Sequence, residues 1–455
     1  MRRALIALTL LSATLLSVVA ERGAPAAAQS GGAVYVPVAP VRVLDTRTGG
    51  ARLTGGGQYT VSLAAAGVPA GATAAAVNLT VTEPAAAGYL TLGPAGAPLP
   101  LTSNLNFSAG ETTANHAIVA TTGAEVAVLA SVDAHVVLDV AGYWVPAGGP
   151  AAAGRFVPVG PTRVLDTRDG GVKLGPAGRA LPLTGLIPAD ATGVAVNLTA
   201  TEADADGYVT AWASGAAPFV SNVNYTAGST IANAAIVPVA GLGGTPTITL
   251  LASAPTHLVV DVAGYFTGAS AGAGTSGQFV AAAPSRVLDT RDGTGRLDPT
   301  DSVDCAQFDT WQEANEWYWT YASAGFGDPF GLDGSNPPDA DPCEMLPGHP
   351  RSGAQPLSGV HARIPRSATI PFADPRAAGA SAVVVNLTVT APAGPGYVTA
   401  FPAGGPAPLA SNINPAHAGH TRPGLAIVGT GTGGRVHVTT STATHLVVDA
   451  AGWFL

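Results

Sequence analysis

The sequence predicts an all-β protein. Three repeated antiparallel β-sandwich modules of jelly-roll type are expected, the third carrying a small helix-plus-loop disulfide insert. Three observations lead there. First, Arg42-Val43-Leu44-Asp45-Thr46-Arg47 recurs as Arg163 to Arg168 and as Arg286 to Arg291, 121 and 123 residues on. Self-similarity at such a period marks repeated structural units. Second, 58 Gly and 38 Pro among 455 residues argue against long helices, and 47% hydrophobic with 11% charged residues excludes a disordered chain. Third, short runs rich in Val, Thr, Leu and Ile alternate with Gly, Pro, Ala and Asn turns roughly every ten residues, the pattern of a sandwich or barrel.

The elements follow in order. Arg2 and Arg3 precede an apolar run from Ala4 to Ala20, then small residues with possible cleavage after Ala20 or Ala28. This is the layout of a secretory signal peptide over 1–28. The run is short for a membrane anchor, which needs about 20 apolar residues, and no later segment reads as a span. The three modules cover 35–146, 156–267 and 279–455. Each passes the same landmarks: Val-Asn-Leu-Thr from Val77, Val196 and Val385; Gly-Tyr from Gly88, Gly207 and Gly396; Ser-Asn-x-Asn from Ser103, Ser221 and Ser411; and a closing run from His135, His257 and His445. In module one the expected strands are 35–38, 42–45, 59–63, 75–82, 89–93, 103–107, 117–120, 125–131 and 135–144. The joints at 147–154 and 268–277 are rich in Gly, Ala, Pro and Ser and read as flexible linkers. Module three spends 100 residues from Arg286 to Asn386 where module two spends 34, so an insert of 66 residues follows its first strand. A surface loop tolerates such an insertion.

Period-two alternation sorts the repeated polar residues. His257, Val259 and Asp261 share one face of their strand, and Leu258, Val260 and Val262 the other. Two functional classes are weighed. Ser103, His135 and Asp139 are nucleophile, base and carboxylate by type, as a secreted hydrolase would need. No nucleophile elbow surrounds the serine, however, and its neighbours suggest a turn. The favoured reading is a non-enzymatic polar network in which Asp pairs with Arg and Asn side chains hold turns. A glycan groove built from Asn, Tyr and Arg is the remaining possibility. Module three has Pro423-Gly424 where the others have Ala114-Asn115 and Ala232-Asn233, so a binding site using that Asn would be weaker there. Asn-Leu-Thr at Asn78, Asn197 and Asn386 matches a glycosylation sequon, but it lies inside a strand pattern.

These modules resemble the Arg-Val-Leu-Asp-Thr-Arg β repeats of secreted actinobacterial proteins. The resemblance covers nearly the whole mature chain and implies an extracellular or cell-envelope setting. It implies no activity.

The insert, 298–350, has its own chemistry. Its two cysteines, Cys305 and Cys343, are the only ones in the chain and should pair in an exported protein. From Asp298 to Glu344 there are 11 acidic residues and no Lys or Arg, while the rest of the chain has 18 acidic against 20 basic residues. The net charge of -9 therefore originates in the insert. Thr310 and Glu313 form a capping box that predicts a helix over 311–323, with Phe308, Trp311, Ala314, Tyr318 and Tyr321 as its packed face. After it, carboxylates and amides at close spacing suit a hard cation. Cys305, Phe308, Gly327-Asp328-Pro329, Leu332-Asp333-Gly334 and Cys343-Glu344 together resemble the excalibur calcium-binding region. Asp333, Asn336, Asp339, Asp341 and Glu344 are the candidate Ca²⁺ ligands, with Ser335 as another neutral oxygen. The loop departs from the family's Asp-x-Asp-x-Asp-Gly pattern through two prolines and Ala340, so weak affinity is expected.

The expected protein is secreted, with the cell wall as one expected setting, and not an enzyme. Its expected partners are a cell-wall or other glycan, or other surface proteins. The acidic balance speaks against nucleic acid.

Overall fold

Alternating apolar and polar residues give each repeat strands with one face for its own core. In the computed structural model the described residues are 32–49, 51–291, 367–371 and 377–455, with Cys305, Trp311, Ala314, Asn315, Tyr318, Leu332 and Cys343. Module one comprises β1 (Ala33–Asp45), β2 (Gln58–Ser62), β3 (Ala74–Thr82), β4 (Gly88–Pro94), β5 (Leu105–Phe107), β6 (Thr113–Ala120), β7 (Glu125–Ala130) and β8 (His135–Pro146). They form two antiparallel sheets, β1-β8-β3-β6 and β2-β7-β4-β5. That strand order is the double Greek key of a jelly roll, and it decides for a sandwich over a closed barrel. The expected strands 35–38 and 42–45 are one strand, β1, whose register shifts between Pro37 and Val41. Pro37 and Pro40 lack the N–H that a regular ladder needs there. β6 starts at Thr113, four residues before the expected 117, because Asn115 and His116 are buried against the neighbouring modules rather than exposed.

Module two repeats the plan. It has β9 (Phe156–Asp166), β10 (Arg179–Pro182), β11 (Gly193–Thr201), β12 (Gly207–Trp212), β13 (Val223–Tyr225), β14 (Ile231–Pro238), β15 (Ala240–Leu242), β16 (Thr245–Ala252) and β17 (His257–Phe266). Its sheets are β9-β17-β11-β14 and β10-β16-β12-β13, with β15 added on β16. Module three has β18 (Phe279–Asp289), β19 (Ser367–Pro371), β20 (Ala382–Thr390), β21 (Val398–Pro402), β22 (Arg422–Gly429), β23 (Arg435–Thr440) and β24 (His445–Phe454). Its described sheets are β18-β24-β20-β22, joined to the first module through Ala33 and Phe279, and β19-β23-β21. The counterpart of β5 and β13 shrinks to one bridge between Val398 and Ile413. Pro415 stands there in place of Phe107 and Tyr225 and cannot donate to the ladder.

The insert enters between β18 and β19. Cys305 and Cys343 are disulfide-bonded, with Cα atoms 5.4 Å apart. Trp311, Ala314, Asn315 and Tyr318 are helical, at the spacing of one helix face. Trp311, Ala314 and Tyr318 are buried, and Ala314, Tyr318, Leu332 and Cys343 join the core of module three. These two aromatics are therefore core residues and not a sugar platform. Asp333, Asn336, Asp339, Asp341 and Glu344, and the signal segment 1–28, lie outside the described residues.

The modules close around a common axis. Tyr35, Phe156 and Phe279 come from the three first strands, and Trp144, Phe266 and Phe454 from the three last strands. Within modules the ring pairs lie 5.0, 5.2 and 5.0 Å apart (Tyr35 with Trp144, Phe156 with Phe266, Phe279 with Phe454). Between modules they lie 4.2, 4.5 and 4.9 Å apart (Tyr35 with Phe266, Phe156 with Phe454, Phe279 with Trp144). The six rings thus form one closed circuit through all three modules. Each such pair contributes about 0.5–1.5 kcal/mol beyond its buried area. Ile118, Ile236 and Ile427 continue the same apolar cluster.

The joints differ from the expected flexible linkers. Ala151 and Gly274 exchange backbone hydrogen bonds at 2.9 and 3.0 Å, so the two joints pair with each other. Gly154 accepts from Tyr35, and Gly277 accepts from Phe156. Both glycines have positive φ, +76° and +84°, and a Cβ there would collide with the backbone of Tyr35 or Phe156. At these two positions glycine answers to close approach and left-handed backbone.

Candidate ligand clefts between the modules

The Arg-Val-Leu-Asp-Thr-Arg segment ends the first strand of each module beside the last strand. In module one, Arg42 donates from Nε and Nη2 to Asp139 at 2.8 and 3.2 Å, and from Nη1 to Asp45 at 3.1 Å. Arg47 binds Asp45 through its backbone N–H, Nε and Nη2 at 3.1, 2.9 and 2.6 Å. Thr46 Oγ1 pairs with His135 Nδ1 at 3.0 Å and accepts the Val136 N–H at 2.9 Å. Arg163, Asp166, Thr167, Arg168, His257 and Asp261 repeat this network in module two. Arg286, Asp289, Thr290, Arg291, His445 and Asp449 repeat it in module three.

The charges in this network respond to their surroundings. Hydrogen bonds from Arg47 hold the Asp45 carboxyl down to about 2. Those from Arg168 lower Asp166 likewise. In Asp289 burial pushes upward, but the bonds from Arg291 outweigh it and the net shift is down. Asp139, Asp261 and Asp449 are displaced the other way, because burial outweighs the opposing arginine.

Asparagines bind each module to the next. Asn78 of β3 donates to the Ser221 carbonyl of module two at 2.6 Å, Asn197 of β11 to the Ser411 carbonyl of module three, and Asn386 of β20 back to the Ser103 carbonyl of module one at 2.8 Å. A second set crosses the same interfaces. Asn233 donates to Asn78 Oδ1 at 3.1 Å and Asn115 to Asn386 Oδ1 at 2.9 Å. Gly424 occupies the corresponding position in module three, and Asn197 Oδ1 is left buried without a hydrogen-bond partner among the described residues. The Asn lost from module three is thus an interface residue, so its loss falls on the contact between modules and not on a groove. Asn78, Asn197 and Asn386 are all buried in strands, in keeping with the strand reading of the sequon.

Outward from this relay, two of the three interfaces open into clefts. The cleft between modules one and two, of about 190 Å³, is walled by Arg42, Arg47, Thr80, Thr82 and Thr112 on one side and by Tyr208, Phe219, Ser221 and Asn224 on the other. The cleft between modules two and three, of about 330 Å³, is walled by Arg163, Arg168, Thr199, Thr201 and Thr230 against Tyr397, Leu409, Ser411 and Asn414. These are corresponding residues, with Leu409 in place of the larger Phe219. The Arg42 guanidinium lies 5.7 Å from the centre of the Phe219 ring, a cation–π distance, and Arg163 donates to the Leu409 carbonyl. Phe219 and Leu409 are 86% and 87% exposed, far from what a core would impose. Each cleft sets two guanidinium groups against two carboxylates, so its charge is balanced. It offers threonine hydroxyls, a phenol and an amide beside an apolar surface.

No family model matches the sequence, and no curated protein matches it. Three solved structures are similar in part. The N-terminal CBM22-1–CBM22-2 tandem domain of Xyn10C from Paenibacillus barcinonensis shares 12% identity over 48% of this chain and 84% of its own, with a TM-score of 0.16. The PBSX exported protein XepA shares 11% over 50% of this chain and 86% of its own, with a TM-score of 0.16. A triple-jelly-roll turret protein of an archaeal virus shares 7% over 92% of this chain and 91% of its own, with a TM-score of 0.15. Scores this low establish no kinship.

The three residues of the hydrolase alternative are each engaged with other partners. Ser103 Oγ bonds Asn106 at 2.8 Å, His135 bonds Thr46, and Asp139 bonds Arg42. Sequence reasoning found every motif but missed that Gly-Tyr and Ser-Asn-x-Asn of one module face the arginines and threonines of the module before it. The available signal was the tyrosine itself, repeated at a position that alternation places outside its own core.

Proposed function

We propose that the protein is a secreted, non-enzymatic cell-envelope or extracellular binding protein whose inter-module clefts take a neutral glycan. One observation carries this reading: four repeated motifs converge on the same cleft at two separate interfaces, and they do so with partly exposed side chains. Core packing requires none of Tyr208, Tyr397, Phe219 or Leu409 to face outward. Hydroxyl, amide and guanidinium groups beside an apolar surface match the hydroxyls and C–H faces of a sugar ring, and balanced charge disfavours an anion. The engagement of Ser103, His135 and Asp139 with other partners supports the non-enzymatic reading over a secreted hydrolase. We further propose that the acidic insert binds Ca²⁺ weakly through Asp333, Asn336, Asp339, Asp341 and Glu344, on its sequence resemblance.

A glycan array with the purified chain, repeated with Tyr208→Ala/Tyr397→Ala, tests the clefts. Binding to neutral glycans that falls at least tenfold in the double variant is the expected result. Equal binding by both proteins would remove the clefts from the function. Turnover of esterase or glycosidase substrates that is lost in His257→Ala would revive the enzyme alternative.

A further inference from the structure

The cyclic arrangement has three interfaces, and the third repeats the parts of the other two. We propose that the interface of module three with module one is a third cleft of the same class, so that one chain presents three sites for a neutral, repeating glycan. This inference rests on the glycan reading of the first two clefts and fixes the number of sites and the kind of ligand favoured.

The wall from module three is complete. Arg286 binds Asp449 at 3.0 Å and Asp289 at 2.8 Å, and Arg291 binds Asp289 at 2.8 and 2.7 Å, repeating the counterpart network except for the second bond to the last-strand aspartate, whose Oδ2 is buried without a hydrogen-bond partner among the described residues. Thr390 and Thr421 share a hydrogen bond of 2.9 Å, matching Thr82 with Thr112 and Thr201 with Thr230, both at 2.6 Å. Thr388 corresponds to Thr80 and Thr199, and its Oγ1 is buried without a hydrogen-bond partner among the described residues.

The facing wall from module one is complete as well. Ser103 bonds Asn106 at 2.8 Å, as Ser221 bonds Asn224 at 3.1 Å and Ser411 bonds Asn414 at 3.2 Å. Tyr89 is 43% exposed and Leu101 fully exposed, the positions of Tyr208 with Phe219 and of Tyr397 with Leu409. The two walls are held in the shared register, because Asn386 reaches the Ser103 carbonyl as Asn78 reaches that of Ser221. An ion pair between Arg422 and Glu111 at 3.7 Å is an additional tie across this interface.

Three like sites around one axis favour a polymer. Binding of one repeat raises the effective concentration of the next, and linked sites gain about 10²–10⁴ in avidity when the geometry permits simultaneous engagement. A short oligosaccharide gains nothing from this.

The experiment is a calorimetric titration of the full chain with neutral hexasaccharides of glucose, xylose, mannose and N-acetylglucosamine. The parent and Tyr89→Ala, Tyr208→Ala and Tyr397→Ala are compared. The side chains of these tyrosines are partly exposed, so melting temperatures should match the parent. Saturation at three ligands per parent chain and two per single variant is expected, with Leu101→Ala weakening the same site as Tyr89→Ala. The corresponding polysaccharide should bind the parent at least a hundredfold more tightly than the hexasaccharide. Saturation at two ligands, untouched by Tyr89→Ala and Leu101→Ala, overturns the third site and leaves the first two standing. Binding of none of the four sugars overturns the glycan reading and the third site together.

Discussion

Asp166 shows why the six-residue motif repeats without variation in its charged positions. Its carboxylate accepts from Arg163 Nη1, from Arg168 Nε and Nη2, and from the Arg168 backbone, while Arg163 also binds Asp261. One half-buried acid therefore orients two arginines, and the two arginines wall a cleft. Removing it strips Arg168 of its carboxylate and Arg163 of one of its two, a loss of about 1–3 kcal/mol, toward the low end because both guanidinium groups reach solvent. Asp166→Ala is expected to lower unfolding stability by that order in denaturant titration and to weaken ligand binding only in step with folding. An unchanged midpoint would mean that the network adds nothing to stability. Sequence reasoning could name these residues as a polar network because they recur with fixed spacing. It could not assign partners, since Arg163 and Asp261 lie 98 residues apart. His257 shows the same limit, because its partner Thr167 sits in the motif and carries no signal as a histidine ligand.

Strands were legible where apolar runs are bounded by turn residues. β3, β4, β7 and β8 fall within two residues of their expected limits, although β3 and β8 face both their own core and the central apolar cluster. β6 and the joints differ from expectation because residues that read as polar or flexible, Asn115, His116 and the joint glycines, are buried or paired against other modules. The insert was legible in its disulfide and in the buried helical positions Trp311, Ala314 and Tyr318. The disulfide closes a separation of 38 residues, which on the chain-entropy argument is worth about 4 kcal/mol. Calcium at the insert is expected to stabilise by RT ln(1 + [L]/Kd), about 1.4 kcal/mol at ten times an extracellular-type Kd of about 10⁻³ M. Calorimetric melting of the oxidised full chain with 10 mM calcium (about ten times that Kd) and with chelator checks it. A transition that calcium raises in the parent, and raises less in Asp339→Asn, is the expected outcome. Equal melting under both conditions would reduce the insert to a disulfide-held spacer.

At the scale of the whole molecule, three jelly rolls behave as the three subunits of a cyclic assembly joined in one chain. The aromatic circuit lies at one end of their contact, the asparagine relay farther along, and the clefts beyond the relay. Equivalent positions need not be filled alike in a single chain, and His116 is the clearest case. It aligns with Ala234 and Leu425, which belong to the central apolar cluster. Its side chain is fully buried, and neither ring nitrogen has a hydrogen-bond partner among the described residues. Burial pushes its pKa from 6.5 down to about 3, so the folded chain holds it neutral. The unfolded chain takes up the proton first, and stability must therefore fall as pH drops below about 6.5, continuing until about 3, after which both states are protonated. At pH 5 the loss from this one residue is about 2 kcal/mol. His420 has the same sign of shift, through burial and then the nearby Arg422, and adds to the decline. His116→Leu and His116→Ala copy what the other two modules carry at this position. Denaturant unfolding of parent and variants at pH 7.5 and pH 5 isolates the contribution, since His420 is common to all. The parent is expected to lose about 2 kcal/mol more than either variant across that interval. If all three proteins lose the same amount, the protonation of His116 is not excluded by folding, and the modules do not close tightly around the axis at this position.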